Sequence, residues 1–223
     1  MATIGYLLSS FTMNNTFIMA GVMGWPVAHS RSPAIHNHWI RQYNLKGAYG
    51  LFPVNPNNLE AAIRGIQALG LAGCNITIPH KVEAMKCMDW VDPLAQRMGA
   101  INTIVVQPDG ALHGFNNDGF GFLESLHEAQ SGWHASAGPI VILGAGGAAR
   151  AIVVSLMDAG ATEIRLLNRT RSKADELAQE FGTPVTAFDW SERHEALAGA
   201  ALLINTTNQG MHGQPALDIE LNQ

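Results

Sequence analysis

The amino-acid sequence predicts an α/β fold, and two observations carry that prediction. Strand-like and helix-like runs alternate from residue 16 onward, an order typical of parallel sheets with right-handed crossovers. A short β-branched run at 139–143 then leads into a glycine-rich turn, and a helical pattern follows it. Strand, turn and helix in that order are typical of nucleotide-binding sheets.

The elements follow from periodicity and from turn residues. In the first half we predict, in chain order, a strand over 16–24, a helix over 33–43, a strand over 48–53, a helix over 59–69, a strand over 73–78, a helix over 81–88, and a hairpin of 100–107 with 111–114 about Pro108-Asp109-Gly110. In the second half we predict helices over 120–129, 148–158 and 172–181 and strands over 139–143 and 163–167. Gly160 is a suitable left-handed cap for the helix over 148–158.

Composition supports extensive burial and excludes several classes of partner. Hydrophobic residues make up 47% of the 223 residues and charged residues 14%, against about 25% charged residues in typical soluble domains. A net charge of −5 gives no basic footprint, so we expect neither a nucleic-acid partner nor a membrane partner.

We predict two domains, 16–118 and 119–223. The first is a parallel or mixed α/β domain and the second is Rossmann-like. The second contains only about four predicted strands, fewer than the six of a doubly wound sheet, so we expect it to be incomplete at its C-terminus.

The two cysteines, Cys74 and Cys87, lie in apolar surroundings and lack metal-ligand spacing. The first thirty residues carry no charge, so the basic region of a secretory signal is missing. We therefore expect reduced thiols and a cytoplasmic protein, either a monomer or a homodimer.

The glycine-rich turn has the pattern G-x-G-x-x-A, with Gly144, Gly146 and Ala149 at its three small positions. Small residues let a pyrophosphate approach the backbone, and the N–H groups of the following helix favour an anion. The predicted phosphate contacts are Gly144, Ala145, Gly146, Gly147 and Ala148. The alternative is a purely structural turn, since such patterns are common.

The strand over 163–167 ends at Asn168-Arg169-Thr170, with Lys173 one turn further on. NAD-binding folds place an acidic residue there for the ribose 2′-hydroxyl, whereas an arginine accommodates a 2′-phosphate. The acid is absent here, which favours NADP(H) bound by Asn168, Arg169, Thr170 and Lys173. The alternative is a solvated basic run that opens a helix.

Several polar residues outside the turn are candidates for chemistry. Ser30 and Ser32 precede Pro33, where hydroxyls either cap a helix or hold a carboxylate. Lys81 opens a predicted helix, where the dipole favours a neutral amine; it is otherwise a surface lysine. Asp118 lies in a turn sequence and could equally be a helix cap.

The histidines do not indicate a metal site. His36 and His38 are two residues apart on a predicted helix, so they point to different sides and form no ligand pair. No Cys/His cluster has zinc spacing, and we predict no bound metal.

Seven motifs together resemble the shikimate dehydrogenase family, and the resemblance spans Phe17 to Met211. They are Ser30-Arg31-Ser32-Pro33, Asn75-Ile76-Thr77-Ile78-Pro79-His80-Lys81, Gly99-Ala100-Ile101-Asn102-Thr103, Gly114-Phe115-Asn116-Asn117-Asp118-Gly119, residues 144–150, Asn168-Arg169-Thr170, and Ile204-Asn205-Thr206-Thr207-Asn208-Gln209-Gly210-Met211. The resemblance implies NADPH-dependent, reversible reduction of 3-dehydroshikimate to shikimate, in aromatic amino-acid biosynthesis.

The resemblance also implies roles for individual residues. Lys81 and Asp118 would be the catalytic pair, with Lys81 moving the proton and Asp118 orienting the ammonium and the substrate hydroxyl. The remaining substrate contacts would be Ser30, Ser32, Asn75, Thr77 and Asn102. Thr206 and Met211 would join the glycine-rich turn around the cofactor.

The sequence departs from the family pattern in three places. Asn117 stands where the family usually has Thr, and Asn208-Gln209 replaces a commoner Ser/Ala-Leu pair. The family also continues for about fifty residues of the βα construction that Rossmann-like folds use. That segment carries a Tyr and a Gln that contact the ligands, so we expect weak or no turnover from a chain ending at Gln223.

Two alternative functions stay open at this point. One is a quinate/shikimate dehydrogenase that uses NAD, against which Asn168-Arg169-Thr170 argues. The other is a catalytically silent nucleotide-binding fragment or regulator.

Overall fold

The structure is a computed structural model that describes residues 17–211 and 213–221. Thr16, the first residue of the first predicted strand, lies outside the described residues. Within them, the chain forms two separate sheets. The predicted α/β class is confirmed.

The first sheet has six strands in the order β2-β1-β3-β5-β6-β4. They are β1 Ile18–Gly24, β2 Gly47–Pro53, β3 Leu71–Ile76, β4 Trp90–Val91, β5 Thr103–Val106 and β6 Leu112–Phe115. Strands β2, β1 and β3 are parallel, whereas β5 runs antiparallel to both of its neighbours. The predicted hairpin about Pro108-Asp109-Gly110 is the β5–β6 connection, where Gly110 has a φ of 90°.

Three helices accompany this sheet: α1 Ser32–Gln42, α2 Leu59–Ala68 and α3 Pro93–Met98. Helix α2 buries Leu59, Ile63 and Ile66 against the sheet. The predicted helix over 81–88 is wrong. Residues 81 and 82 form a turn, and only the 3-10 helix Glu83–Cys87 follows. A 3-10 helix is the tighter form that short segments take between other elements.

The second sheet has four parallel strands in the order β10-β7-β8-β9. They are β7 Ile140–Leu143, β8 Ile164–Leu167, β9 Val185–Phe188 and β10 Leu202–Asn205, and the helices are α4 Asp118–Ala129, α5 Gly147–Asp158 and α6 Arg171–Phe181. All four residues of β7 are buried. A continuous apolar strand of this kind is typical of a parallel sheet covered on both faces.

Helix α5 packs against both the sheet and α4. Seven of its twelve residues are buried, and Gly160, with a φ of 88°, ends it as predicted. At Gly119 the α4 backbone lies so close to α5 that a Cβ would overlap Ser155 Oγ and come within 2.8 Å of the Ala151 carbonyl oxygen. Only glycine fits that contact.

Two arginine clamps connect α3 with the helices of the second sheet. Arg97 donates to both carboxylate oxygens of Asp158, at 3.1 and 2.8 Å. Arg150 donates to both carboxylate oxygens of Glu180, at 2.8 and 2.6 Å, and to the Met98 carbonyl at 3.2 Å. Planar guanidinium–carboxylate pairs fix orientation as well as distance. The Arg97–Asp158 pair and the Arg150–Met98 bond lie beside a buried apolar cluster of Met98, Ala151 and Val154 that packs α3 against α5.

In the described part of the chain, no helix is both long enough and apolar enough to cross a membrane.

We expect Gly119→Ala to destabilise the protein by about 1–3 kcal/mol, because an added methyl overpacks the α4–α5 contact. The matched control is Gly121→Ala on the same helix, where a Cβ would meet nothing within 4 Å. That change should stabilise by about 0.5–1 kcal/mol, since alanine favours a helix over glycine. Guanidinium unfolding curves measure both. Equal effects of the two substitutions would contradict this account of the contact.

Candidate functional site

Lys81 is held by its turn rather than by a helix. Its backbone carbonyl accepts a hydrogen bond from the Ile101 N–H at 2.9 Å. The neighbouring His80 is buried, and its ring bonds to the Val54 carbonyl at 2.8 Å. Since no α-helix begins at Lys81, the expectation that a helix dipole favours its neutral form is wrong.

Asp118 is the first residue of α4 and faces Lys81. The Lys81 ammonium forms an ion pair with Asp118 Oδ2, and Asn102 Nδ2 donates to Asp118 Oδ1 at 2.7 Å. The side chains of Lys81 and Asp118 are 14% and 26% exposed. Because partly buried charges are screened less than surface charges, this pair is stronger than an ordinary surface salt bridge.

A buried asparagine fixes the start of α4. Asn116 Oδ1 accepts the Asp118 backbone N–H at 3.0 Å, and its Nδ2 donates to the Ala100 carbonyl at 2.8 Å. This side chain ties the residues before α4 to the loop that carries Asn102. The carboxylate of Asp118 is thereby held where Asn102 and Lys81 both reach it.

The other predicted substrate residues lie at the end of β3, immediately before β5 and at the beginning of α1. Asn75 lies near the end of β3, and Tyr49 on β2 donates its hydroxyl to Asn75 Oδ1 at 2.6 Å. Burial raises the pKa of the Tyr49 phenol above its ordinary value, the nearby Cys74 thiol adds to this, and a hydrogen bond with Ser32 opposes it. The phenol therefore stays protonated and can donate. Thr77 follows β3 and is half-buried.

The serine pair lies at the beginning of α1. Ser30 Oγ accepts the Ser32 backbone N–H at 3.3 Å. The His36 ring stacks on Tyr49 with centroids 4.1 Å apart and bonds to the Ser32 carbonyl through Nδ1 at 2.8 Å. His36 thus supports the serines through packing.

Among residues 17–211 and 213–221, no group of three His, Cys, Asp or Glu side chains could hold a metal ion.

The glycine-rich turn connects β7 to α5. Gly144 has a φ of 106°, and a Cβ there would overlap Thr206 Oγ1. Thr206 Oγ1 in turn donates to the Leu143 carbonyl at 2.7 Å. Helix α5 begins at Gly147 without a side-chain cap, so the N–H groups of its first turn are free to bind an anion.

A cavity of about 720 Å³ lies between this turn and Lys81. A Cβ on Gly147 would come within 2.8 Å of Lys81 Cβ, so the turn and the lysine are in contact. The cavity is lined by Lys81 and by most of the predicted cofactor residues. These are Gly144, Ala145, Gly146, Gly147, Ala148, Asn168, Arg169, Thr170, Lys173 and Thr206.

The far end of the cavity is basic. Arg169 and Lys173 line it beside Asn168, whose Nδ2 donates to the Thr170 carbonyl at 2.8 Å. The cavity wall also contains two acids, Glu83 and Glu176. Met211 is 43% exposed and is not part of the cavity wall, unlike the other predicted cofactor residues.

Sequence reasoning missed three residues that hold this site in place. His80 and Asn116 stand inside the recognised motifs, which signalled their importance but not their bonds. Tyr49 carried no signal, because a tyrosine in a half-buried strand is ordinary. Its role appears only when β1, β2 and β3 are assembled.

A glycine-rich turn on a parallel sheet that opens onto a lysine–aspartate pair defines a class, the dinucleotide-dependent dehydrogenases. Comparison with known proteins narrows the class. Residues 22–104 match the family described as shikimate dehydrogenase substrate binding domain, and residues 127–212 match shikimate / quinate 5-dehydrogenase. The chain belongs to the shikimate dehydrogenase family, as its motifs indicated.

Individual relatives agree with this assignment. A shikimate dehydrogenase (NADP(+)) of Paramagnetospirillum magneticum is 52% identical over 203 residues, 91% of this chain and 74% of the relative. The crystal structure of shikimate dehydrogenase from Aquifex aeolicus is 36% identical with a TM-score of 0.82, covering 92% of this chain and 74% of that one. The crystal structure of the Thermus thermophilus enzyme, in complex with NADP(H) and shikimate, is 39% identical with a TM-score of 0.75. It covers 87% of this chain and 70% of that one.

Proposed function

We propose that this protein catalyses the NADPH-dependent, reversible reduction of 3-dehydroshikimate to shikimate, an oxidoreductase reaction of aromatic amino-acid biosynthesis. The observation that carries the proposal is the position of Lys81, which pairs with Asp118 and borders the same cavity as the glycine-rich turn. An acid–base pair thus lies against a dinucleotide cradle. The named relatives support this substrate and cofactor.

The cavity fits NADP. Three of the four turn residues, Gly144, Gly146 and Gly147, carry no side chain at the N-terminus of α5, which suits a pyrophosphate. Asn168, rather than an acid, follows β8, and Arg169, Thr170 and Lys173 offer cations and a hydroxyl to a 2′-phosphate. When bound, the cofactor supplies or accepts the hydride at the carbonyl carbon.

The residues of the site transfer the proton to and from the substrate oxygen. Lys81, as an ammonium held by Asp118, donates a proton to the substrate carbonyl oxygen as that carbon is reduced, and takes it back in the reverse direction. Asp118 keeps the lysine in place and accepts from Asn102 as well. Both carboxylate oxygens of Asp118 are therefore engaged, which fixes the plane of the carboxylate and the direction of the ammonium.

The polar residues around this pair recognise the ring. Ser30 and Ser32, with the α1 N-terminus beside them, are proposed to bind the substrate carboxylate, and Asn75, Thr77 and Asn102 its hydroxyls. The hydrogen bond from Tyr49 to Asn75 places one of these amides.

We further propose a cytoplasmic location, where thiols stay reduced. Cys74 and Cys87 are both free. Burial raises the pKa of the Cys74 thiol to about 12, so the reactive thiolate does not form at neutral pH. The choice between monomer and homodimer stays a prediction.

The proposed reaction is tested by following shikimate-dependent formation of reduced nicotinamide with NADP⁺. We expect shikimate-dependent turnover from a form with the full length of the curated relatives, of which this chain spans about 74%, and the 223-residue chain is assayed beside it. Quinate and NAD⁺ are the comparison substrate and cofactor. Cofactor binding without turnover in both proteins would indicate a silent nucleotide-binding protein instead, and a preference for NAD⁺ with quinate would indicate the other alternative.

We expect Arg169→Ala to raise the KM for NADP⁺ at least about ten-fold, because each 1.4 kcal/mol of lost guanidinium–phosphate interaction costs that factor. The KM for NAD⁺ should change little. Arg171→Ala is the matched control, since Arg171 bonds to Asp175 at 2.8 Å and is not part of the cavity wall. Equal effects of Arg169→Ala on both cofactors would refute the 2′-phosphate assignment.

We expect Lys81→Ala and Asp118→Ala each to lower kcat at least about 10²-fold, the usual loss when general acid–base help is removed. The double variant should be far less damaging than the product of the two, because the pair acts as one unit. Lys86→Ala serves as the control, since Lys86 pairs with Glu83 in solvent. Near-normal kcat in either single variant would rule out the assigned roles.

A further inference from the structure

Thr103, the first residue of β5, connects two of the site asparagines. Its hydroxyl donates to Asn102 Oδ1 at 2.8 Å and accepts from Asn75 Nδ2 at 3.2 Å. Thr103 is opposite Asn75 in the antiparallel register of β3 and β5. Side chains on directly opposed residues are close enough to bond, so the sheet itself places this hydroxyl between the two amides.

The donor and acceptor in each of these hydrogen bonds are fixed by neighbouring backbone groups that can only donate or only accept. The Asn102 backbone carbonyl, an acceptor, lies 3.4 Å from Asn75 Nδ2 and therefore fixes the NH₂ end of that amide. The Asn117 backbone N–H, a donor, lies 3.2 Å from Asn102 Oδ1 and fixes the carbonyl end of the other. Thr103 thus stands between a donor and an acceptor.

A single chain of hydrogen bonds results. It runs from the Tyr49 hydroxyl through Asn75, Thr103 and Asn102 to Asp118, and every donor points towards the carboxylate. A hydroxyl can accept from one amide and donate to the next. Valine would match threonine in shape but could do neither.

We propose that Thr103 is a positioning residue for substrate recognition, whose hydroxyl holds the NH₂ end of the Asn75 amide in place. The inference rests on the proposed function, in which Asn75 binds a ring hydroxyl. Without Thr103 Oγ1, the NH₂ group of Asn75 keeps only its 3.4 Å bond, while Asn75 Oδ1 keeps the Tyr49 hydroxyl. The Asn102 amide still has a bond at each end, to Asp118 and to the Asn117 N–H. Asn75 is therefore loosened more than the catalytic pair.

Thr103→Val should raise the KM for shikimate about ten-fold, because the part-buried Asn75 amide loses its shorter hydrogen bond. The kcat should stay within about three-fold, since losing a contact that binds substrate and transition state equally raises only the KM for that substrate. The KM for NADP⁺ should not change. Thr103→Ser keeps the hydroxyl and should restore the shikimate KM. If Thr103→Val fails to fold, Thr103→Ala removes the same group.

The side-chain NH₂ resonances of Asn75 and Asn102 in ¹⁵N-labelled protein give a readout that does not depend on turnover. Slow exchange of the Asn75 NH₂ protons should be lost in Thr103→Val and kept in Thr103→Ser. If neither the 223-residue chain nor the longer form oxidises shikimate, the proposed function fails, and this measurement still decides whether Thr103 holds Asn75. An unchanged Asn75 resonance or shikimate KM in Thr103→Val, or equal damage in Thr103→Ser, would overturn the inference.

Discussion

Two side chains 37 residues apart in the sequence, Lys81 and Asp118, share one partly buried ion pair, and the surrounding elements hold its two sides. His80 and Ile101 fix the turn on the lysine side, and Asn116 fixes the beginning of α4 on the aspartate side. Removing either charge leaves the other without compensation in a half-buried setting, which is costly. The loops between β3 and α4 therefore hold the Lys81–Asp118 ion pair in place.

Local signals in the sequence predicted local structure well. The spacing of Gly144 and Gly146 encodes a backbone path, so the turn and its helix were predictable, and the hairpin followed from Pro108-Asp109-Gly110. The helix at Lys81 was wrong because a short amphipathic run does not distinguish an α-helix from a turn and a 3-10 segment. Tyr49 and Thr103 could not be assigned bonds, since these depend on which strands become neighbours and in what register.

The elements of the two sheets meet at the buried apolar cluster of Met98, Ala151 and Val154, and two arginines flank it. Arg97 with Asp158 is a solvent-exposed pair, which contributes roughly 0–1 kcal/mol. Arg150 is more enclosed, with 15% of its side chain exposed, and its guanidinium also lies over the Phe181 ring at 5.8 Å. Gly99 leaves space for it, because a Cβ there would overlap the guanidinium. Arg150 thus joins the end of α3 to α5 and α6, and its own side chain lines the cavity.

The contact between Gly147 and the stem of Lys81 limits how this sequence can vary. Any residue other than glycine at 147 would displace the lysine by its Cβ alone, although Gly147 takes no part in proton transfer. A substitution at Gly147 lies in the cofactor-binding turn, yet its first measurable effect would be a lower kcat. Substitutions at positions 147 and 81 are therefore not independent, and an engineered change of cofactor specificity is better sought at the Arg169 end of the cavity, where the wall is exposed and the lysine is not in contact.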